Sequence, residues 1–391
     1  MSMGSSSGQA RSVITIADDL TGACDAAVYF ADAGLATFVS LHFDDEAPAN
    51  WESWAINTDT RCSPPKQAAE RVTCAIQAAA RLRPGKIVKK IDSMMRGNVA
   101  AEIAAASTLL DPRLIVLTPA FPALGRTVRD GRLSIHGGEP LSIANLLPGL
   151  RCAAVELAAF EELVEHFAET DTGSIDVLIP DTSTDSDLQR LVEAAWELEG
   201  LLWVGSGGLT RAIASTIKRS ARRCSRIVST QKPVLFCVGS NHDASLAQLQ
   251  HLEKNDHAVF ARAGIEGYER INRALREERN AVLLIERSQF NPQGMRQLAE
   301  SIELSLCGAL VLTGGDTALH ILDALGACGI RSYAEILPGI PQGVILGGVA
   351  DRLLLATKSG AFGGPDALSR CVEVLRVPPA NLELSTKKAT R

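Results

Sequence analysis

The chain has 391 residues, 46% hydrophobic and 21% charged, an ordinary globular composition long enough for two or three domains with cores of their own. Its net charge of −6 has no large basic counterweight, which argues against nucleic acid as a partner. Any anionic ligand must be held by local Lys, Arg and backbone N–H groups, and no run of about 18 apolar residues suggests a membrane span.

In chain order, Met1–Arg11 is small, polar and Gly/Ser-rich, and reads as a disordered leader without the basic region and apolar core of a signal peptide. Short apolar runs bounded by Gly, Pro or Asp then predict strands at Ser12–Ala17, Ala36–Leu41, Lys86–Lys90, Leu114–Thr118, Val177–Pro180, Leu201–Gly205, Val234–Val238, Ala281–Leu284, Ala309–Thr313 and Leu353–Thr357. Between them, Ala/Leu-rich stretches of helical period predict helices at Gly22–Ala33, Pro65–Leu82, Val99–Leu110, Leu188–Leu198, Asp243–Lys254, Pro292–Leu306 and Ala318–Leu325. This alternation gives an α/β protein: two three-layer α/β/α domains with mainly parallel sheets. The polar, basic stretch Lys218–Lys232 separates a domain at 12–230 from one at 231–391. Nine scattered cysteines, an odd number with no C-x-x-C, read as reduced thiols of a cytoplasmic protein.

In open parallel sheets, ligands sit beyond the carboxyl ends of the strands, so the loops there carry the candidate chemistry. The first strand runs into Asp18 and Asp19. One of these carboxylates can accept a hydroxyl proton or bind Mg²⁺ through water while the other caps the next helix, or both serve capping alone. After the strand Lys86–Lys90, the segment Lys90-Ile-Asp92-Ser93-Met-Met-Arg96-Gly97-Asn98 gathers cations, an acid and a hydroxyl. There Arg96 and Lys90 suit a carboxylate, and Asp92 and Ser93 suit sugar-acid hydroxyls. A solvated loop with an internal salt bridge is the plainer reading. Arg126, in the Pro/Gly-fixed loop after Leu114–Thr118, offers a further cation. Gly205-Ser-Gly-Gly208 either presents N–H groups to an anion or serves close packing.

The second half concentrates glycine instead. Thr313-Gly314-Gly315-Asp316-Thr317 ends a strand and opens a helix, whose free N–H groups and positive end favour phosphate. Asp316 suits a ribose or Mg²⁺. Gly239-Ser240-Asn241-His242 and Lys358-Ser-Gly360-Ala-Phe-Gly363-Gly364 lie after two other strands, and Lys358 near phosphates would neutralise developing charge. No Walker G-x-x-x-x-G-K-[ST], zinc-binding H-E-x-x-H or G-x-S-x-G elbow occurs. A dinucleotide-binding dehydrogenase is disfavoured because no G-x-G-x-x-G follows the first strand.

Five segments, Ile16-Ala-Asp-Asp-Leu-Thr-Gly22, Lys90-Ile-Asp-Ser93 with Arg96-Gly-Asn98, Pro119-Ala-Phe-Pro122, Thr313-Gly-Gly-Asp-Thr317 and Lys358-Ser-Gly-Ala-Phe-Gly363, stand in the order they have in the four-carbon acid sugar kinases. Over about residues 13–370 the chain resembles that family, whose members act on threonate, erythronate and 3-oxo-tetronate. The resemblance implies a sugar-acid-binding N-terminal domain, an ATP-binding C-terminal domain and an active-site cleft between them. It implies that Asp18, Asp19, Lys90, Asp92, Ser93 and Arg96 face the acid, and that Ser240, Gly314, Gly315, Asp316, Thr317 and Gly360 face ATP. ATP and Mg²⁺ are the expected cofactors, a homodimer the default assembly, and a non-catalytic regulator on the same fold the alternative. The chain departs from the family pattern at Asn241-His242, Met94-Met95 and Ala361.

Overall fold

The computed structural model describes residues 13–45, 50–82, 84–166, 176–217, 227–255 and 258–377. The expected leader and residues 218–226 of the expected interdomain stretch lie outside the described residues. The chain divides into two compact units, Met1–Asp18 with Leu35–Arg219, and Asp19–Gly34 with Ser220–Arg391.

The first unit is built on eight parallel strands, in the order Thr37–Ser40, Ser53–Asn57, Val13–Ala17, Lys86–Lys90, Leu201–Gly205, Leu114–Thr118, Val177–Pro180 and Cys152–Val155. Five of these eight short strands are buried throughout, as sheets covered on both faces require. Val13–Ala17 lies between Ser53–Asn57 and Lys86–Lys90, with Ala17 level with both Asn57 and Lys90. Three loops therefore leave the sheet side by side at its carboxyl edge. A small antiparallel sheet, Arg126–Arg129, Arg132–Ile135 and Leu141–Ser142, completes the unit.

The second unit orders its strands Val259–Arg262, Ala281–Leu284, Val234–Val238, Ala309–Thr313, Leu354–Lys358, Ile340–Leu346 and Gly329–Leu337. The first five are parallel, and the last two form an antiparallel hairpin. Val238, Thr313 and Lys358 are level, so again three loops start together. The core beneath gathers Phe236, Val282, Val311, Ala356, Leu252 and Leu368, each worth roughly 1.5–3 kcal/mol for the larger aliphatic and aromatic side chains.

One boundary near residue 230 does not describe this division. The chain passes between the units at Asp18/Asp19, Gly34/Leu35 and Arg219/Ser220, because the helix Leu20–Asp32 belongs to the second unit. Every residue from Leu20 to Ala31 is buried, and the helix packs on Gly329–Leu337 and on the helix Gly315–Ala324. Its small side chains at Gly22, Ala23, Ala26 and Ala27 permit that close approach. The described cysteines are all free. Cys24, Cys237, Cys307 and Cys371 are buried, whereas Cys62, Cys74 and Cys328 are exposed. No described helix is long and apolar enough to cross a membrane.

Candidate active site

In the first unit the three adjacent loops bring four charged side chains into a row. Asp18, 2% exposed, receives Arg61 in bidentate fashion, Nε at 2.8 Å and an Nη at 2.9 Å. Another Arg61 contact reaches Asp92 at 4.0 Å. Asp92 in turn receives Arg96, Nε and Nη both at 2.8 Å, and the backbone N–H groups of Met94 and Arg96. Burial alone would raise both carboxyls. The Arg61 charge and hydrogen bonds, with Lys89 and Lys90 nearby, hold Asp18 below the usual carboxylate range. Hydrogen bonds from Arg96 and the charges of Arg61 and Arg96 do the same for Asp92. Both acids are thus ionised clamps for guanidiniums and weak proton acceptors.

Around this row, Lys90 is buried and its ammonium donates to the Ile91 carbonyl at 3.2 Å, while Ser93 is buried in the same loop. Lys89 forms an ion pair with Glu102 at 2.7 Å, both about 1% exposed, and so braces the strand from beneath. Asn98 donates to the carbonyls of Thr60 and Ser63, each at 2.7 Å, tying the Arg61 loop to the Arg96 loop. Arg126 is buried and exchanges backbone hydrogen bonds with Phe121, but it opens a strand of the small antiparallel sheet, and the strand before it, Leu114–Thr118, is separated from Lys86–Lys90 by Leu201–Gly205.

Asp19 points its chemistry elsewhere. It caps the helix Leu20–Asp32, accepting from Gly22 N at 2.7 Å and from the Thr21 hydroxyl at 2.7 Å. A methyl group on Gly315 would lie 2.9 Å from its Oδ2, so this carboxylate borders the Gly314-Gly315 turn of the second unit. There the helix Gly315–Ala324 opens with N–H groups that have no partner within the helix, Asp316 exposed in its first turn and Thr317 buried. The Ser240 hydroxyl accepts from His242 N at 3.3 Å and from the Ser245 hydroxyl at 3.2 Å. Ser245 also donates to the Gly360 carbonyl at 2.9 Å. A methyl on Gly360 would meet Ser240 Oγ at 2.2 Å, so these two loops touch only because residue 360 has no side chain.

Lys358, read as a phosphate contact, is fully buried, and its ammonium donates to the carbonyls of Ser359 (2.8 Å), Phe362 (3.1 Å) and Gly360 (3.3 Å). Its donors organise the loop from behind, and burial lowers its pKa to about 8. Gly363 likewise serves the loop: its carbonyl accepts from Gln248 at 2.9 Å. The Gly205–Gly208 turn is used for packing, with Ser206 donating to the Ala120 carbonyl at 2.7 Å and accepting from Gly208 N at 3.2 Å. Sequence reasoning missed Arg61, the central cation of the first unit. Its signal was the loop after the unrecognised strand Ser53–Asn57. Among the described residues no cluster of three or more His, Cys, Asp or Glu can hold a metal unaided.

Two family models match the chain: a sugar-binding N-terminal domain over residues 13–146 and a nucleotide-binding C-terminal domain over residues 272–368. The D-threonate kinase of Cupriavidus necator is 33% identical over 409 residues, covering 91% of this chain and 96% of the relative. The D-erythronate kinase of Heliobacterium modesticaldum is 26% identical, covering 94% of this chain and 98% of the relative. A Salmonella typhimurium structure described as a putative tRNA synthase superposes with a TM-score of 0.71 at 19% identity, covering 92% of this chain and 98% of that one. That last likeness speaks for the fold alone. With both domain types in order and a one-third identical relative along nearly its whole length, the chain belongs to the four-carbon acid sugar kinase family.

Proposed function

We propose that this protein is an ATP-dependent kinase that phosphorylates a hydroxyl of a four-carbon sugar acid, with D-threonate the first candidate and erythronate and 3-oxo-tetronate next. The observation that carries the reading is the Asp18–Arg61–Asp92–Arg96 row. Each guanidinium gives two N–H bonds to its own carboxylate, which fixes the plane of a group suited to bidentate recognition of a ligand carboxylate. Lys90 adds a point charge and Ser93 a hydroxyl for the substrate's own hydroxyls. The names of the relatives support an acid of four carbons.

ATP is assigned to the glycine loops of the second unit. The opening N–H groups of the helix Gly315–Ala324 and the Ser240 hydroxyl would receive phosphate oxygens. Asp19 and Asp316, the carboxylates in or beside that turn, suit Mg²⁺, which takes one or two protein carboxylates alongside phosphates and would neutralise phosphate charge. Phosphoryl transfer through a loose transition state asks for alignment and charge neutralisation more than early proton removal. Carboxylates held as acidic as Asp18 and Asp92 are compatible with that demand.

The test is ADP release by the purified protein with ATP and Mg²⁺, across D- and L-threonate, D- and L-erythronate and the 3-oxo acid. Release dependent on one acid is expected. Silence across the panel with ATP still bound would favour a non-catalytic regulator, and silence without ATP binding would overturn the kinase reading.

A further inference from the structure

A carboxyl outside the expected site residues lies in sequence between the Thr313–Thr317 turn and the Lys358–Gly364 loop. Glu335, on the strand Gly329–Leu337, accepts two hydrogen bonds at one oxygen, Oε1: from the Tyr29 hydroxyl at 3.0 Å and from Gly339 N at 2.8 Å. Tyr29 lies on the helix Leu20–Asp32, whose cap is Asp19. Gly339 is the second residue of the Pro338-Gly339 turn joining the two hairpin strands, with φ +75°, as a type II turn requires. A methyl at Gly339 would lie 2.2 Å from Phe362 Cδ2, so the Phe362 ring rests directly on the turn. On its other flank the Phe362 carbonyl is taken by Gln248 (2.9 Å) and Lys358 (3.1 Å).

We propose that Glu335 is a positioning residue for the nucleotide, holding the turn at Gly339 against Phe362 and thereby fixing the loop Ser359–Gly364. One oxygen thus joins the helix that presents Asp19 to the turn on which Phe362, from the loop that presents Gly360 to Ser240, rests. A packing role alone needs no accepting oxygen here. Burial and the neighbouring Asp25 and Asp32 push the carboxyl up to about 7, so a neutral glutamine, which keeps the accepting oxygen, is a close substitute. The inference rests on reading Ser359–Gly364 as part of the ATP site.

The experiment compares wild type, Glu335→Gln, Glu335→Ala, Phe362→Ala and the Glu335→Ala/Phe362→Ala double variant. ATP affinity is measured by calorimetry, kcat and both KM values by ADP release, and folding by thermal unfolding. Loss of the acceptor in Glu335→Ala is expected to weaken ATP about fivefold or more and to leave the KM for the acid within twofold. Glu335→Gln is expected to restore ATP affinity to within twofold of wild type at pH 6.5. The double variant should be no weaker than the worse single one, because both substitutions cut the same link. Glu335→Ala binding ATP like wild type, full additivity with Phe362→Ala, or no rescue by a folded Glu335→Gln would each overturn the proposal. If Glu335→Ala does not fold, Glu335→Gln and Phe362→Ala decide it: ATP affinity unaffected in Phe362→Ala would overturn it. A wild type that binds no ATP would instead remove the nucleotide reading, and this inference with it.

Discussion

Substituting Gly360 by alanine tests whether the Ser240 and Gly360 loops form one nucleotide-binding surface. The added methyl would sit 2.2 Å from Ser240 Oγ and 3.2 Å from Ser240 Cβ. Gly360 is not among the left-handed glycines, so contact and not backbone strain sets the cost. The cheapest relief is rotation of the Ser240 hydroxyl, which breaks its bonds with His242 N (3.3 Å) and the Ser245 hydroxyl (3.2 Å). At about 0.5–1.5 kcal/mol for each neutral hydrogen bond, the loss is about 2 kcal/mol. If Ser240 also holds phosphate, losing that charge-assisted bond, at about 1.5–3 kcal/mol, weakens ATP by roughly 10- to 150-fold. Urea denaturation and ATP titration of Gly360→Ala, Ser240→Ala and the double variant provide the assay. Without the hydroxyl, the nearest obstacle is Cβ at 3.2 Å, so the alanine at 360 should cost less than half as much in the Ser240→Ala background. Equal cost in both backgrounds would refute the contact argument.

Two further outcomes follow from the charged groups. Arg61→Lys replaces a planar fork by a point charge that cannot span both Asp18 oxygens and a ligand, so the KM for the acid should rise about tenfold or more with the KM for ATP unchanged; an unaltered acid KM would dismiss Arg61 as a substrate contact. Glu335 has a folded pKa of about 7 against an ordinary 4.5, so between those values the folded protein binds more protons than the unfolded one and wild-type stability falls as pH rises. Glu335→Gln escapes that loss, and its Tm relative to wild type should increase from pH 5 to pH 8; a pH-independent difference would mean that Glu335 ionises normally.

The parallel strands were legible because burial on both faces turns them into short uninterrupted apolar runs. Leu114–Thr118, Val234–Val238 and Ala309–Thr313 fall where such runs predict them. The hairpin Gly329–Leu337 and Ile340–Leu346 was missed although the Pro338-Gly339 turn marks it, because the first strand alternates in burial and the apolar run of the second is broken by Pro341, Gln342 and Gly343. Ser53–Asn57, with Ser and Asn at its ends, was also passed over, and with it the loop that carries Arg61. Site legibility followed the same line. Charge in one half and glycine in the other were visible in composition. Whether a given cation faces a ligand or braces its own loop depends on partners distant in sequence, as Lys89 with Glu102 and Lys358 with its surrounding carbonyls demonstrate.

The early helix Leu20–Asp32 has a consequence for how the chain is made. It leaves the ribosome before the whole stretch Leu35–Arg219, yet the strands it packs on come after that stretch. At about 5–20 residues per second, its almost wholly buried surface waits roughly ten seconds or more for a partner. A fragment beginning at Ser220 would lack that helix altogether and leave the faces of Gly329–Leu337 and Gly315–Ala324 bare. The second unit therefore closes only when the helix Leu20–Asp32 and the strand Gly329–Leu337 are both present, and a nascent chain stalled before Gly329 carries the helix without that strand.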